Sequence, residues 1–155
     1  MRRMIAVLSV VLAIVSPASA GEWNSWAAPK PDAKQMECLA RAIYFEAGNE
    51  SELGRIAVGK VIINRVNSGK YANNVCGVVH QRVGKQCQFT FACVKNAVVR
   101  SEEQYAHSMA AAELVMLGFG SDITNNAEFF NNRPFRDKRL VHTVKIGGHY
   151  FYRPM

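Results

Sequence analysis

The stretch Glu52-Leu-Gly-Arg-Ile-Ala-Val-Gly-Lys-Val-Ile-Ile-Asn-Arg-Val66 constrains the fold more than any other part of the chain. Wound into a helix, it is apolar around more than half of its circumference, whereas a surface helix shows only one apolar stripe. Such a helix belongs inside a domain, with neighbours on several sides. Ser51 can cap its start and Asn67-Ser-Gly69 can stop it, which predicts a helix from Glu52 to about Asn67. Gly54 and Gly59 lower its intrinsic propensity. Their expected use is to let another helix come close.

The segment before it, Met36-Glu-Cys-Leu-Ala-Arg-Ala-Ile-Tyr-Phe-Glu46-Ala-Gly-Asn-Glu50, places Leu39, Ile43 and Glu46 at helical spacing. At roughly 100° per residue, Glu46 falls about 20° from Leu39 and about 60° from Ile43. A helix from about Lys34 to Ala47 therefore turns a carboxylate inward at its last turn. Gly48 and Asn49 are expected to end it, since both tolerate the left-handed conformation of a C-terminal cap. An inward charge costs free energy unless it is paired, hydrogen-bonded or neutralised. Glu46 is thus half of a structural ion pair, a side chain rotated into solvent at a frayed helix end, or a group of perturbed pKa held for chemistry.

The chain opens Met-Arg-Arg-Met, runs apolar from Ile5 to Val15 and continues Ser16-Pro-Ala-Ser-Ala20. These are the three parts of a secretory signal peptide, with cleavage expected after Ala20. The apolar run is too short to span a bilayer comfortably, so no stable membrane anchor is expected after cleavage. Loss of Arg2 and Arg3 lowers the formal charge from +7 to +5. A mildly basic exported protein suits an anionic surface such as cell-wall polymer. Its basic residues form no run and no aromatic ladder, which disfavours nucleic acid.

Residues 21–33 hold two Trp and two Pro with little periodicity and read as a linker or arm, leaving 34–155 as one domain. Cys38, Cys76, Cys87 and Cys93 remain after cleavage, an even count that favours disulfides in an exported chain. Three complete pairings are open, and so is a single bridge with two buried thiols. No Cys-x-x-Cys or His-x-x-x-His pair occurs, and His80, His107, His142 and His149 are far apart, so neither a metal nor a cofactor is expected. Residues 70–100 are irregular in pattern and hold three of the cysteines, as a disulfide-stapled, loop-rich region would. Ser101-Glu-Glu-Gln104 has the form of a capping box, opening a helix whose core stripe is Tyr105, Met109, Ala112 and Met116 and which Gly118 can close. Val141–Ile146, Gly147-Gly148 and His149–Tyr152 read as two strands joined by a tight turn. The fold class is α+β and mainly α: a helical domain with a small antiparallel hairpin or sheet.

Several of these blocks together resemble the SleB/CwlJ-type cell wall hydrolase family. They are Cys38-Leu-Ala-Arg-Ala-Ile-Tyr-Phe-Glu-Ala47, Gly54-Arg-Ile-Ala-Val58, Val61-Ile-Ile-Asn-Arg-Val66, Val75-Cys-Gly-Val-Val79, Gln88-Phe-Thr-Phe91, Ala127-Glu-Phe-Phe130 and Ile146-Gly-Gly-His-Tyr-Phe-Tyr152. The resemblance spans about residues 36–152. It implies a lysozyme-like fold acting on peptidoglycan glycan strands, with cleavage between N-acetylmuramic acid and N-acetylglucosamine, as in lytic transglycosylases. It puts the catalytic glutamate at Glu46, the residue that periodicity singles out independently. It makes Glu50, Gln88, Phe89, Phe129, Phe130, His149 and Tyr150 the candidate substrate contacts, with Asp122 and Glu128 as weaker candidates for a second carboxylate.

Two departures from the family pattern stand out. Pro134-Phe-Arg136 lacks the family's Pro-x-Trp aromatic, and Arg55 replaces a glutamine. No stretch ahead of the domain resembles a wall-binding module, so targeting is expected to rest on charge, on the groove or on an envelope partner protein. The expected location is the periplasm or the exterior. Two other readings remain: a wall-binding protein on the same fold without activity, and a hydrolytic muramidase or amidase.

Overall fold

The structure is a computed structural model that describes residues 30–155. The signal sequence expected at 1–20 and most of the arm expected at 21–33 lie outside the described residues. Helix α1 (Ala33–Ala47) starts at Asp32, whose side chain accepts from the Gln35 N–H at 2.8 Å. It ends where the sequence indicates, but by another route. Gly48 stays right-handed at φ −58°, donating to the Tyr44 carbonyl at 3.0 Å, and the Glu50 N–H turns back to the Ala47 carbonyl at 2.9 Å. No left-handed cap forms.

Helix α2 (Glu52–Asn67) has the expected bounds, with the Ser51 hydroxyl accepting from the Gly54 N–H and Gly69 taking the left-handed φ of +71° that stops the chain. It lies centrally, in contact with α1, the short helix α3 (Val75–His80), helix α4 (Glu102–Met116) and two strands of the sheet. Ile62 joins Leu39, Ile43, Val78, Val79, Ala112 and Val115 in one core. Ala57, Val58 and Val61 face a second core with Ala47, Ala127 and Phe151. Each large aliphatic or aromatic side chain among them stabilises the fold by about 1.5–3 kcal/mol through burial. At Gly59 both α1 and α4 press on α2: a Cβ built there would stand 3.1 Å from both Ile43 Cδ1 and Val115 Cγ2.

Asn74 caps α3 through the Gly77 N–H at 2.8 Å. The irregular region continues with a two-residue hairpin, β1 (Arg82–Val83) and β2 (Gln86–Cys87), and a 3-10 turn at Thr90–Cys93. Two disulfides tie it down, Cys38–Cys76 between α1 and α3 and Cys87–Cys93 across the turn. Helix α4 is capped by Ser101, which accepts from the Gln104 N–H, but the capping box is only half made. The Gln104 side chain instead donates to Asn49 Oδ1, on the turn that follows α1.

The hairpin of β4 (Leu140–Ile146) and β5 (His149–Pro154) closes through Gly147, at φ +56°, and Gly148, pairing Ile146 with His149. A third strand, β3 (Phe129–Asn131), adds to the free edge of β5, giving an antiparallel sheet in the order β3-β5-β4. The sequence pattern did not reveal β3, because three residues cannot display alternation.

The two bridges close loops of very different length, 38 and 6 residues apart in sequence. In the chain-entropy account, replacing both Cys38 and Cys76 by Ala costs about 4 kcal/mol, and the same change at Cys87 and Cys93 about 2 kcal/mol. Urea unfolding of the two double variants checks the order.

Candidate active site

Glu46 leaves α1 on the face of the fully buried Leu39 and Ile43 and is itself half-buried. Two hollows share it. The larger, about 660 Å³, runs along the end of α1 and is walled by Tyr44, Phe45, Phe91, Val94, Arg100 and Gln104 among others. The smaller, about 240 Å³, is bounded by Phe130, Asn131, Asn132 and His149 from the sheet side. Glu46 lines both, and so stands between the helix side and the sheet side of this surface. Among the described residues, no other carboxylate lines either hollow.

Burial raises the Glu46 pKa above the ordinary carboxylate value, and the charge of Arg65 pulls it partly back. No hydrogen bond and no second acid contributes to the shift. Desolvation dominates, as for a carboxyl kept protonated by dry surroundings. Arg65 is buried in an aromatic cage, its guanidinium carbon 5.3 Å from the Tyr71 ring centre, 5.4 Å from Phe89 and 5.7 Å from Phe129. Its Nε donates to the Glu128 carbonyl at 2.7 Å.

The other acids are committed elsewhere. Asp122 Oδ1 accepts from the Thr124 N–H and hydroxyl, and Oδ2 from Asn64 Nδ2 and the Asn126 N–H, at 2.6 to 2.9 Å. Burial pushes its pKa up, but those bonds outweigh it and leave the carboxyl below its usual range. Asp122 organises the 122–127 loop, in which Asn125 and Asn126 take positive φ. Glu128 pairs with Lys70 Nζ at 3.0 Å. Glu50 holds the hairpin: Oε2 accepts from the Gly148 N–H at 3.1 Å, and Oε1 stands 4.0 Å from His149 Nδ1. A Cβ at Gly147 would overlap the Glu50 carboxylate, so the turn's glycine serves contact as well as backbone shape. Burial lowers the His149 pKa, with Glu50 opposing.

Of the sequence-derived substrate contacts, Phe130 and His149 line the smaller hollow beside Glu46. The others line neither hollow. Phe89 is buried against Arg65, and Phe129 stacks on the same guanidinium. Gln88 is exposed just after the small hairpin, its N–H bonded to the Gln81 carbonyl. Tyr150 points to the opposite side of β5 from His149, with Lys145 Nζ 4.7 Å from its ring centre. Arg55 Nη1 binds the carbonyls of Gly48 and Glu50, so it fastens the α1–α2 turn. Phe135, standing where the family has another aromatic pattern, packs on Tyr152 with ring centres 5.1 Å apart. Sequence reasoning missed Tyr44, Asn49, Arg100, Gln104, Asn131 and Asn132. Only the run of polar side chains directly after Phe129-Phe130 could have signalled the last two.

A small sheet packed on a helical core, with a groove and one half-buried glutamate at the end of the first helix, is an arrangement of the lysozyme-like class. Residues 49–152 match the cell wall hydrolase family model, and the chain belongs to that family. The match begins three residues after Glu46, so the case for that residue rests on its position. The spore cortex-lytic enzyme of Bacillus cereus is 28% identical over 120 residues, covering 75% of this chain and 43% of that protein. The Bacillus subtilis spore cortex-lytic enzyme is 36% identical over 69 residues, 43% of this chain and 23% of that protein. The chain thus spans less than half the length of these relatives. The crystal structure of the catalytic domain of the Bacillus cereus SleB protein superposes with a TM-score of 0.58 at 27% identity, over 79% of this chain and 91% of that one. The catalytic domain of the germination-specific lytic transglycosylase SleB from Bacillus anthracis gives the same TM-score, 0.58, at 28% identity, over 79% and 96% of the two chains.

A folded-state pKa above the unfolded one means that the native state holds its proton longer. The penalty for ionising Glu46 is therefore absent at acid pH and complete once pH has passed the raised value. Glu46→Gln is expected to melt close to wild type at about pH 4 and above it at about pH 8. Thermal melts of both proteins across that range check the sign.

Proposed function

We propose that the protein is an exported peptidoglycan-cleaving enzyme that breaks the bond between N-acetylmuramic acid and N-acetylglucosamine as a lytic transglycosylase. The observation that carries this reading is Glu46: half-buried, raised in pKa, and lining two hollows whose walls hold no second carboxylate among the described residues. Glycoside cleavage requires an acid to protonate the leaving oxygen as an oxocarbenium-like centre forms. A free glutamate is mostly ionised at neutral pH. One held in a dry groove gives up its proton only at higher pH, the direction in which burial moves the acid of lysozyme in its apolar pocket.

The Glu46 proton passes to O4 of the leaving N-acetylglucosamine while the bond from C1 of the muramyl residue breaks. The ionised carboxylate then accepts the proton of that same residue's 6-hydroxyl, whose oxygen bonds to C1 and closes a 1,6-anhydro ring. One carboxyl group serves as acid and then as base, and no water is consumed. A hydrolase needs a second group to orient water, usually another carboxylate, yet Glu50, Asp122 and Glu128 are occupied in holding the hairpin, a loop and Lys70. A strand laid across Glu46 would put the muramyl unit and its neighbour in the two hollows, with amides from Asn49, Gln104, Asn131 and Asn132 available to acetamido groups.

Export is supported by the amino-terminal pattern and by the two disulfides, which persist in oxidising compartments. Among the described residues, no helix is long and apolar enough to cross a membrane.

The test is digestion of purified sacculi followed by mass spectrometry of the products. Anhydro-ended muropeptides are expected; reducing ends would make the enzyme a muramidase, free stem peptides an amidase, and binding without products a wall-binding protein. Glu46→Gln should lower the rate by at least about 100-fold. The wild-type rate should fall on the alkaline side through a pKa above that of free glutamate.

A further inference from the structure

We propose that a third hollow, walled in part by Lys34, Glu37, Arg41 and His80, receives the carboxylate-bearing stem peptide of the muramyl residue held at Glu46. The proposal deepens the reaction read above and rests on peptidoglycan being the substrate.

Helix α1 connects this hollow to the larger one beside Glu46. Lys34, Glu37, Cys38, Arg41, Phe45 and Gly48 recur at three- and four-residue spacing and so share one face of the helix and its end. The first four line the third hollow, about 210 Å³, and the last two line the larger hollow. Phe91 lines both. It stacks on Phe45 with ring centres 4.6 Å apart, and the Arg41 guanidinium carbon stands 5.5 Å from the Phe45 ring centre. Arg41 Nη2 donates at 2.8 Å to the carbonyl of Ala97, another wall residue of the larger hollow. Arg41 thus stands at the boundary of the two spaces, held by a hydrogen bond and a ring. On the α3 side, the Cys38–Cys76 bridge keeps that helix, with His80 as its last residue, against α1.

The charged groups of the third hollow are not spent on one another. Glu37 lies one helical turn from Lys34 and from Arg41, the spacing at which helix ion pairs form. Among the described residues, neither pair is made, and Arg41 Nε and Nη1 make no hydrogen bond. Three basic side chains against one acid suit an anion, and a guanidinium fork fits a carboxylate. An N-acetylated glycan is uncharged, so the carboxylates of peptidoglycan are those of the peptides carried on its muramyl lactyl groups. Glu37 in turn suits the free ammonium of the stem's diamino acid. Arg41 precedes Glu46 by five residues on α1, which is about 7.5 Å along the helix axis. About two to three residues of extended peptide cover that distance. A muramyl unit beside Glu46 can therefore lead its stem past Phe91 into the third hollow.

The test separates binding from cleavage. A synthetic stem tetrapeptide with free carboxylates is titrated into 15N-labelled Glu46→Gln protein, with the same peptide amidated at its carboxylates and inorganic phosphate as controls. The amides of Lys34, Arg41 and His80 should shift with the free peptide alone. Lys34→Glu combined with His80→Gln should weaken that binding by about tenfold, and both positions are exposed, so the fold is spared. In kinetics with the active enzyme, strands that carry their stems should show a lower KM than strands stripped by an amidase, and the double variant should close that gap. Equal KM for the two substrates in wild type, or no shift in the third hollow, overturns the inference while leaving the cleavage reaction in place. Equal binding of the amidated peptide, or equal shifts with phosphate, overturns it as well, since the site would then not read a peptide carboxylate. Peptide bound in the third hollow by a wild-type protein that cleaves neither substrate upholds the inference and overturns the proposed reaction.

Discussion

All-round burial of α2 is the constraint from which the rest of the domain follows. A helix with Val58, Val61 and Ile62 fully buried needs protein on several sides. Helices α1, α3 and α4 cover one side, and the other is covered by Phe151 of the sheet together with Ala127 from the loop ahead of β3. Gly59 lets Ile43 and Val115 meet over its backbone. A groove arises because the helices and the sheet are separate layers over the same central helix, and their inner ends do not close on each other at Glu46.

The carboxylates divide by what surrounds them. Asp122 collects hydrogen bonds from Thr124, Asn64 and Asn126, and those bonds make it a stable anion that shapes a loop. Glu50 and Glu128 each hold a donor, the Gly148 amide and the Lys70 ammonium. Glu46 is buried without comparable compensation, and its proton is held more tightly than that of an ordinary glutamate. A carboxylate bonded by several donors is poor at proton transfer near neutral pH, because its pKa lies too far below.

Much of the helical frame was legible in the sequence, because periodicity and end signals act locally. The bounds of α2, the start of α4 at Ser101 and the Gly147-Gly148 hairpin all depend on residues close together in the chain. The inward direction of Glu46 was legible for the same reason. The groove's walls were not. Gln104 looked like the second half of a capping box, yet it reaches across to Asn49, 55 residues away in sequence. Phe89 looked like a sugar-stacking ring, yet Arg65, which sequence placed only on a buried helix, draws it into the interior. Such pairings join segments far apart in the chain, and periodicity contains no trace of them. Gly48 shows a subtler limit: the residue type marked the helix end correctly, while the Gly48 and Glu50 amides, donating to the Tyr44 and Ala47 carbonyls from a right-handed turn, supplied what a left-handed cap would have supplied.

Those same long-range contacts decide how firmly Glu46 is aimed. The turn after α1 is held by α2 through Arg55, by α4 through Gln104 on Asn49, and by the hairpin through Glu50 on Gly148. Just ahead of Glu46 on α1, the Tyr44 hydroxyl accepts from the Arg100 and Ser101 amides at 2.9 and 3.1 Å, locking the start of α4 onto the same helix. Glu46 sits between these anchor points without being used by any of them. Its backbone is thereby fixed by every layer of the domain, while among the described residues its carboxyl makes none of these bonds, so the side chain is held in place without being consumed by the fold. The helix end therefore divides its work: the neighbours of Glu46 carry the fold, and among the described residues its carboxyl takes no part in those anchoring bonds.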